Sequence, residues 1–140
     1  MAGEIVGAGG AEPILIPCDL EHPNACDKID AALAAAGVEV EFVVNNAEFG
    51  LFGCAIELDR AEQLGAIAVN ILAMTNLSLS FSDSLIRHRG GILNLGWRDI
   101  MPLRPMSYRS EALHQELSPW GVRVTALCPG SVLSEFQCRT

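Results

Sequence analysis

The sequence contains one apolar run that stops abruptly at two asparagines. Val-Glu-Val-Glu-Phe-Val-Val covers residues 38–44, and Asn45 and Asn46 follow it directly. Because β-branched and aromatic residues dominate the run and paired amides end it, the pattern predicts a buried β-strand over residues 38–46 that opens into a loop. Ligands of open α/β sheets bind beyond the carboxyl ends of the strands. We therefore expect a ligand crevice where this strand ends.

The segment before that strand predicts a βαβ unit over residues 14–46. Residues 14–18 are mostly apolar and predict a short buried strand. Pro23 suits the first turn of a helix, and Gly37 suits its end. The fold class that follows is α/β, with a parallel sheet and a right-handed crossover.

The second half of the chain continues the alternation of helices and strands. Asp59 and Glu62 are spaced as a capping box at the start of a long helix. Further strands are predicted at residues 92–95 and 122–127, with a short helix over residues 107–117 between them. The large apolar residues of the long helix predict one buried stripe, formed by Leu64, Ile67, Ile71, Met74, Phe81 and Leu85.

Length and charge limit the classes of partner. The chain has 140 residues, enough for one domain, and 50% of them are hydrophobic, which argues against disorder. A formal net charge of −8 argues against nucleic acid and anionic membrane surfaces as partners. Residues 64–81 have about the length of a membrane span, but Asn70, Thr75 and Asn76 interrupt them. We therefore predict an amphipathic helix and no membrane partner.

The cysteines indicate a reducing compartment. Five cysteines form an odd set without a Cys-x-x-Cys spacing, and the amino terminus has no signal-peptide pattern. Reduced thiols in a cytoplasmic protein are the expected state. The three histidines show no ligand spacing, so no metal site is predicted.

Gly7, Gly9 and Gly10 look like the start of a dinucleotide-binding fingerprint. Such a fingerprint needs a strand before the glycines and a helix after them. Only six residues precede Gly7, and Pro13 lies in the β-rich run that follows. We interpret these glycines as a loop that closes a short helix.

Two motifs resemble the short-chain dehydrogenase/reductase family. Asn45-Asn46-Ala47-Glu48 resembles its Asn-Asn-Ala-Gly motif, with the last glycine replaced. Residues 129–134, Pro-Gly-Ser-Val-Leu-Ser, resemble its Pro-Gly-x-Val-x-Thr. The resemblance runs from about residue 9 to residue 136 and implies a Rossmann-like parallel sheet with flanking helices. It also implies hydride transfer between NAD or NADP and a carbonyl or alcohol.

The resemblance implies roles for individual residues. Asp19 would accept a hydrogen bond from the adenine amino group, although on chemistry alone it could equally be a turn or cap residue. Asn70 would be a catalytic residue that helps to hold a proton-relay water. A hydrogen bond to a neighbouring backbone is the alternative reason for an amide within this apolar helix. The complete cofactor-binding set would be Asp19, Leu20, Asn46, Ala47, Pro129, Gly130, Val132 and Ser134.

The chain departs from the family at the catalytic groups. Gly96 and Trp97 stand where the family has serines, and the residue four positions after Tyr108 is Ala112 rather than lysine. The comparison implies a deletion that removes the Tyr-x-x-x-Lys motif. Tyr108 is then interpreted as a packing aromatic rather than a displaced catalytic group, and Arg109 is wrongly spaced to replace the lysine.

Larger parts of the family fold are also expected to be missing. Residues 1–140 would form a single partial Rossmann-like domain without the first two strands, the Gly-rich loop and the carboxyl-terminal lobe. Residues 14–18 must then pair directly with residues 38–46 or leave an open sheet edge. We therefore predict a catalytically impaired oxidoreductase homologue. Two alternatives are a non-catalytic scaffold that self-associates through the helix over residues 60–88, or binds a partner, and an active reductase that uses Tyr108.

Overall fold

The computed structural model describes residues 2–51, 53–96 and 104–128, with the backbone alone described at residues 2 and 104–106. The elements in chain order are α1 (Ala2–Gly7), α2 (Ala25–Ala35), β1 (Phe42–Asn45), α3 (Arg60–Ile67), a π-helical segment (Ala68–Ala73), α4 (Met74–Ser80), α5 (Ser82–His88), β2 (Gly91–Leu95), α6 (Arg104–Leu117), a 3-10 turn (Ser118–Trp120) and β3 (Arg123–Leu127).

The three strands form one parallel sheet in the order β1-β2-β3. Val43 lies opposite Ile92, and Ile92 lies opposite Val124. Helices connect successive strands, so the carboxyl ends of all three strands lie at the same edge of the sheet. The predicted α/β class with a parallel sheet is confirmed.

The predicted strand at residues 14–18 is wrong. These residues form no regular secondary structure, and Leu15 is 73% exposed. Pro17 has no backbone N–H to donate to a ladder, and no described strand lies beside this run. The strand predicted over residues 38–46 is shorter than expected, because β2 begins at Gly91 opposite Phe42 and offers no partner further upstream.

The hydrophobic core lies between one face of the sheet and the helices. Within β1, Val43 and Asn45 are buried, whereas Phe42 and Val44 are 55% and 59% exposed. Successive strand residues point to opposite faces, so the described helices cover only one of them. The buried core residues are Val43, Phe81, Leu85, Ile92, Leu113, Leu117 and Val122.

The long helix is continuous from Arg60 to Ser80 but changes its winding on the way. Asp59 caps it as predicted, because its carboxylate accepts from the N–H groups of Ala61 at 2.8 Å and Glu62 at 3.0 Å. By length and composition alone it is the single helix in the described ranges that could cross a membrane, which is weak support for a span. Its α4 part contacts β1 and α2, as a core helix does.

The predicted apolar stripe of this helix is only partly right. Met74, Phe81 and Leu85 are buried, whereas Leu64 is 54% and Ile67 37% exposed. The π-helical segment lies between the two groups. Its hydrogen bonds span five residues instead of four, which rotates the upstream residues away from the face that a regular period predicts.

Two glycine-containing junctions follow helices. Helix α1 ends at Gly7 and a turn follows, which confirms a loop rather than a phosphate-binding strand–helix junction. At the other junction, Gly90 is buried between the chain segments that lead into β1 and β3. Its carbonyl accepts from Arg123 N–H at 3.1 Å, and a Cβ at Gly90 would overlap the carbonyl oxygen of Glu41.

Candidate functional site: the carboxyl ends of β1 and β2

A chain of buried side-chain hydrogen bonds crosses the carboxyl ends of β1 and β2. Asn45 Nδ2 donates to Asn94 Oδ1 at 2.8 Å and to Ser78 Oγ at 3.2 Å. Asn94 Nδ2 donates to Ser110 Oγ at 2.9 Å. We call Ser78, Asn45, Asn94 and Ser110 the asparagine network. It joins α4, β1, β2 and α6 inside the core.

The network residues were not predicted as site residues from the sequence. Asn94 is 0% exposed and Asn45 9% exposed, so both amides lie where apolar residues are usual. The available signal was a lone amide within Ile-Leu-Asn-Leu at residues 92–95, a strand position at which a buried polar group requires a partner. The identity of that partner depends on strand register, which the sequence does not display.

The loop after β1 carries the predicted cofactor-binding residues Asn46 and Ala47. Both are exposed at the carboxyl end of the strand. Asn45 points into the helix-covered side, so the alternation of the strand directs Asn46 to the opposite side. The structure thus places this pair just beyond the carboxyl end of β1, where a crevice is expected from the sequence, and nucleotide contact by these residues stays a prediction.

Asn70 lies in the π-helical segment and holds this loop from its far end. Its Oδ1 accepts from Phe49 N–H at 3.0 Å, and its Nδ2 donates to Phe49 O at 2.7 Å. The predicted hydrogen bonding of Asn70 to a neighbouring backbone is therefore present. Its catalytic role in holding a relay water stays a prediction.

Asp19 forms a turn. Its Oδ1 accepts from Glu21 N–H at 3.0 Å, and its backbone carbonyl accepts from His22 N–H at 3.1 Å. The turn interpretation therefore holds in this structure. Adenine recognition by Asp19, and any cofactor contact of the half-buried Leu20, stay predictions.

Tyr108 does not pack in the core. Its side chain is 61% exposed on α6, so the interpretation as a packing aromatic is wrong. The residue two positions later, Ser110, points inward to the asparagine network because α6 buries one face against the sheet. Arg109 Nε is buried and has no hydrogen-bond partner among the described residues. The remaining predicted site residues Pro129, Gly130, Val132 and Ser134, like Trp97, lie outside the described residues.

The shifted pKa values belong to groups outside this crevice. His88 donates to Glu39 at 2.7 Å, and that hydrogen bond, together with Arg87, lowers the pKa of the Glu39 carboxyl. Burial, with added effects from Asp27 and Cys18, raises the pKa of the Cys26 thiol. No cluster of three potential metal ligands occurs in the part of the chain that the structure describes.

A groove of about 270 Å³ opens near the amino end of β1, away from the crevice. Helix α2, residues 38–40 and the α4–α5 junction form its walls. It is lined by Asp30, Leu33, Ala34, Val38, Val40, Ser80, Phe81, Asp83, Ser84 and Arg87.

The same fold occurs in solved oxidoreductase structures. A metagenomic short-chain oxidoreductase in complex with NADP is 30% identical, with a TM-score of 0.78 over 94% of this chain and 64% of its own. The chain has the fold of the short-chain dehydrogenase/reductase family. A short-chain dehydrogenase from Sphingobium yanoikuyae in complex with NADPH shares the fold, with 23% identity and a TM-score of 0.81 over 99% of this chain and 59% of its own.

Curated relatives agree with this assignment. Galactitol 2-dehydrogenase (L-tagatose-forming) of Cereibacter sphaeroides is 33% identical over 96% of this short-chain dehydrogenase/reductase homologue. NADPH-dependent 1-acyldihydroxyacetone phosphate reductase of Schizosaccharomyces pombe is 26% identical over 71% of it. The chain spans 57% and 38%, respectively, of the lengths of these relatives. No protein-family model matches the chain.

Proposed function

We propose that this chain binds NAD or NADP at the carboxyl ends of β1 and β2 and has little or no dehydrogenase activity of its own. The observation that carries the proposal is the loop over residues 46–50, which is fixed by Asn45 at its start and by Asn70 at its end. A fixed loop favours binding because less conformational entropy is lost when the ligand arrives.

The residues present support nucleotide binding better than turnover. Asn46 and Ala47 would hold the nucleotide, and Asp19 and Leu20 would lie toward its adenine. The nicotinamide would supply hydride when bound. Proton transfer requires a positioned acid. Gly96 and Trp97 stand where the family resemblance would place serines, and the Tyr-x-x-x-Lys motif that it would place beside the substrate is missing. The ancestral reaction, hydride exchange between nicotinamide and a carbonyl or alcohol, is therefore expected to be impaired.

A calorimetric titration with NAD(H) and NADP(H) tests this proposal. We expect saturable binding to the folded chain and weaker binding by Asn46→Ala. Asn76→Ala is a matched control, because Asn76 is exposed on α4 outside the crevice. A folded chain that binds neither nucleotide contradicts the proposal. Carbonyl reduction that co-purifies with the chain contradicts the impaired activity.

Self-association through the helix over residues 60–88 is a second candidate function. Leu64, Leu72 and Leu79 are 54%, 57% and 46% exposed on that helix, which supports a non-catalytic scaffold that binds a second copy. We expect a dimer by sedimentation at tens of micromolar. Leu72→Lys should dissociate it, whereas Leu15→Lys, which changes an exposed leucine elsewhere, should not. A well-folded monomer at that concentration contradicts this candidate.

The same proposal places the protein in the cytoplasm, without nucleic acid or membrane partners. The net charge of −8 supports the absence of these partners, because nucleic acid and anionic membranes attract proteins with clustered Lys and Arg. Retention of the purified chain on vesicles of anionic lipid at physiological salt would contradict it.

A further inference from the structure

The loop over residues 46–50 leaves the sheet from a strand end that is fixed from within the core. Asn45 is the last residue of β1, and its Nδ2 group donates one hydrogen bond to Ser78 and another to Asn94. The opposite end of the loop is fixed by Asn70, on the same continuous helix as Ser78. One helix and one strand therefore determine where the loop begins and ends.

Asn94 connects this arrangement to α6. It uses its two amide atoms on different partners: Oδ1 accepts from Asn45, and Nδ2 donates to Ser110. A serine at this position would reach only one of these two partners, and a leucine would bond to neither. Asn94 is 0% exposed, so water does not replace either partner when a bond is lost.

We propose that Asn94 is a positioning residue for the loop over residues 46–50. Its Oδ1 accepts from Asn45, which also donates to Ser78, and its Nδ2 donates to Ser110, so the Asn94 amide sets the position of the β1 end relative to α6. The consequence for nucleotide affinity rests on the proposed function, whereas the consequence for the loop itself does not. Asn94 acts through Asn45 and needs no contact with the ligand.

The network is suited to this role because each of its members is hydrogen-bonded at low local dielectric. Ser78 Oγ also donates to the carbonyl of Met74 at 2.8 Å, which ends the chain of bonds on the helix backbone. Fully satisfied buried networks restrict a core to one arrangement. Removal of one member leaves a buried donor or acceptor unpaired and allows the neighbouring elements to shift.

Ser110→Ala tests the proposal with a smaller perturbation than Asn94→Leu, which risks unfolding the chain. Ser110→Thr retains the hydroxyl and serves as the rescue variant. Ser84→Ala is the matched control. Ser84 is a buried serine whose Oγ donates to Val40 O at 2.8 Å, at the other end of β1. All variants are compared by hydrogen exchange and by titration with NADPH. The comparison uses conditions under which their free energies of unfolding are equal.

The first readout is the exchange rate of the Phe49 amide, whose N–H is bound by Asn70 Oδ1. Ser110→Ala should accelerate it by about five-fold, and NADPH should bind about five-fold more weakly, which is the typical net effect of losing the hydrogen bond from Asn94. Ser110→Thr should restore both values, and Ser84→Ala should change neither.

An unchanged Phe49 rate in Ser110→Ala, or an equal change in Ser84→Ala, would overturn the positioning role. If the parent chain binds no NADPH, the proposed function fails, and the Phe49 exchange rate still decides whether Asn94 positions the loop.

Discussion

The side-chain amide of Asn70 binds both backbone groups of Phe49, with Nδ2 to O at 2.7 Å and N–H to Oδ1 at 3.0 Å. The backbone N–H and C=O groups of Phe49 are therefore both hydrogen-bonded, as they would be in a β-ladder, although Phe49 does not lie in a strand. The contact connects the loop after β1 to the π-helical segment.

Removal of this contact should destabilise the fold. Asn70→Ala loses two partly buried hydrogen bonds, and we expect the free energy of unfolding to fall by about 1–3 kcal/mol. Urea unfolding measures the change. Asn76→Ala controls for the gain in helix propensity, because Asn76 is exposed on the same continuous helix. Equal unfolding midpoints for the two variants would show that the Phe49 contact contributes nothing.

Gly90→Ala should be among the most disruptive single substitutions. Its new Cβ would overlap the carbonyl oxygen of Glu41, which also accepts from Gly91 N–H at 3.1 Å. The start of β1 would have to move, at a cost on the order of 3 kcal/mol. Thermal unfolding should show a large drop in Tm.

Gly7→Ala is the control for that experiment. Nothing lies within 4 Å of a Cβ at Gly7, so the same change there should leave Tm nearly unaltered. A Gly90→Ala variant as stable as Gly7→Ala would contradict the close approach of Glu41.

The Glu39 carboxylate should make stability depend on pH in the acid range. His88 and Arg87 lower its pKa from the ordinary value of 4.5 in the folded chain. A group with a depressed folded pKa adds stability above its unfolded pKa and loses that contribution as pH falls through the folded value. The difference in unfolding free energy between the parent chain and Glu39→Gln should therefore be present at pH 7, begin to fall near pH 4.5 and be lost as the pH passes below the folded pKa.

This contribution should be small and sensitive to salt, because the three side chains are exposed. Glu57→Gln, which removes a carboxylate from an exposed turn, is the control for the loss of one negative charge. Denaturant titrations at several pH values and two salt concentrations measure both properties. A Glu39→Gln effect that stays constant from pH 7 down to the lowest pH at which the chain remains folded would contradict the role of ionised Glu39.

Alkylation should distinguish the described thiols. Burial raises the pKa of Cys26, and the thiolate is the reactive form, so Cys26 should react slowly with iodoacetamide at pH 8. Cys54 and Cys128 are exposed and should react first. Mass spectrometry of peptides from a time course measures the order. Alkylation of Cys26 before Cys54 would contradict its burial.

The parts of the fold that could be predicted from sequence are those determined by neighbouring residues. The strand that ends at Asn45, the Asp59 cap and the turn after Gly7 each depend on a few adjacent side chains, and all are present. The strand predicted at residues 14–18 failed because a strand also requires a partner, and Pro17 further weakens any pairing.

The candidate site was predictable only in part for the same reason. The amides of Asn46 and Asn70 are conspicuous in the sequence and lie at the two ends of the loop. The pairing of Asn45 with Asn94 depends on the register between β1 and β2, across 49 residues of sequence. The buried stripe of the long helix could likewise not be predicted in full from a regular helical period. One longer turn in the π-helical segment changes which side of the helix each upstream residue occupies.

The sheet face that exposes Phe42 and Val44 has a consequence for the colloidal behaviour of the purified chain. The net charge of −8 keeps molecules apart at low ionic strength, and this repulsion has a range of about 10 Å at 0.1 M salt. Added salt shortens that range without weakening the attraction between apolar surfaces. The protein should therefore remain dispersed in dilute buffer and become turbid as sodium chloride is raised, the reverse of the salting-in expected for proteins held together by ion pairs.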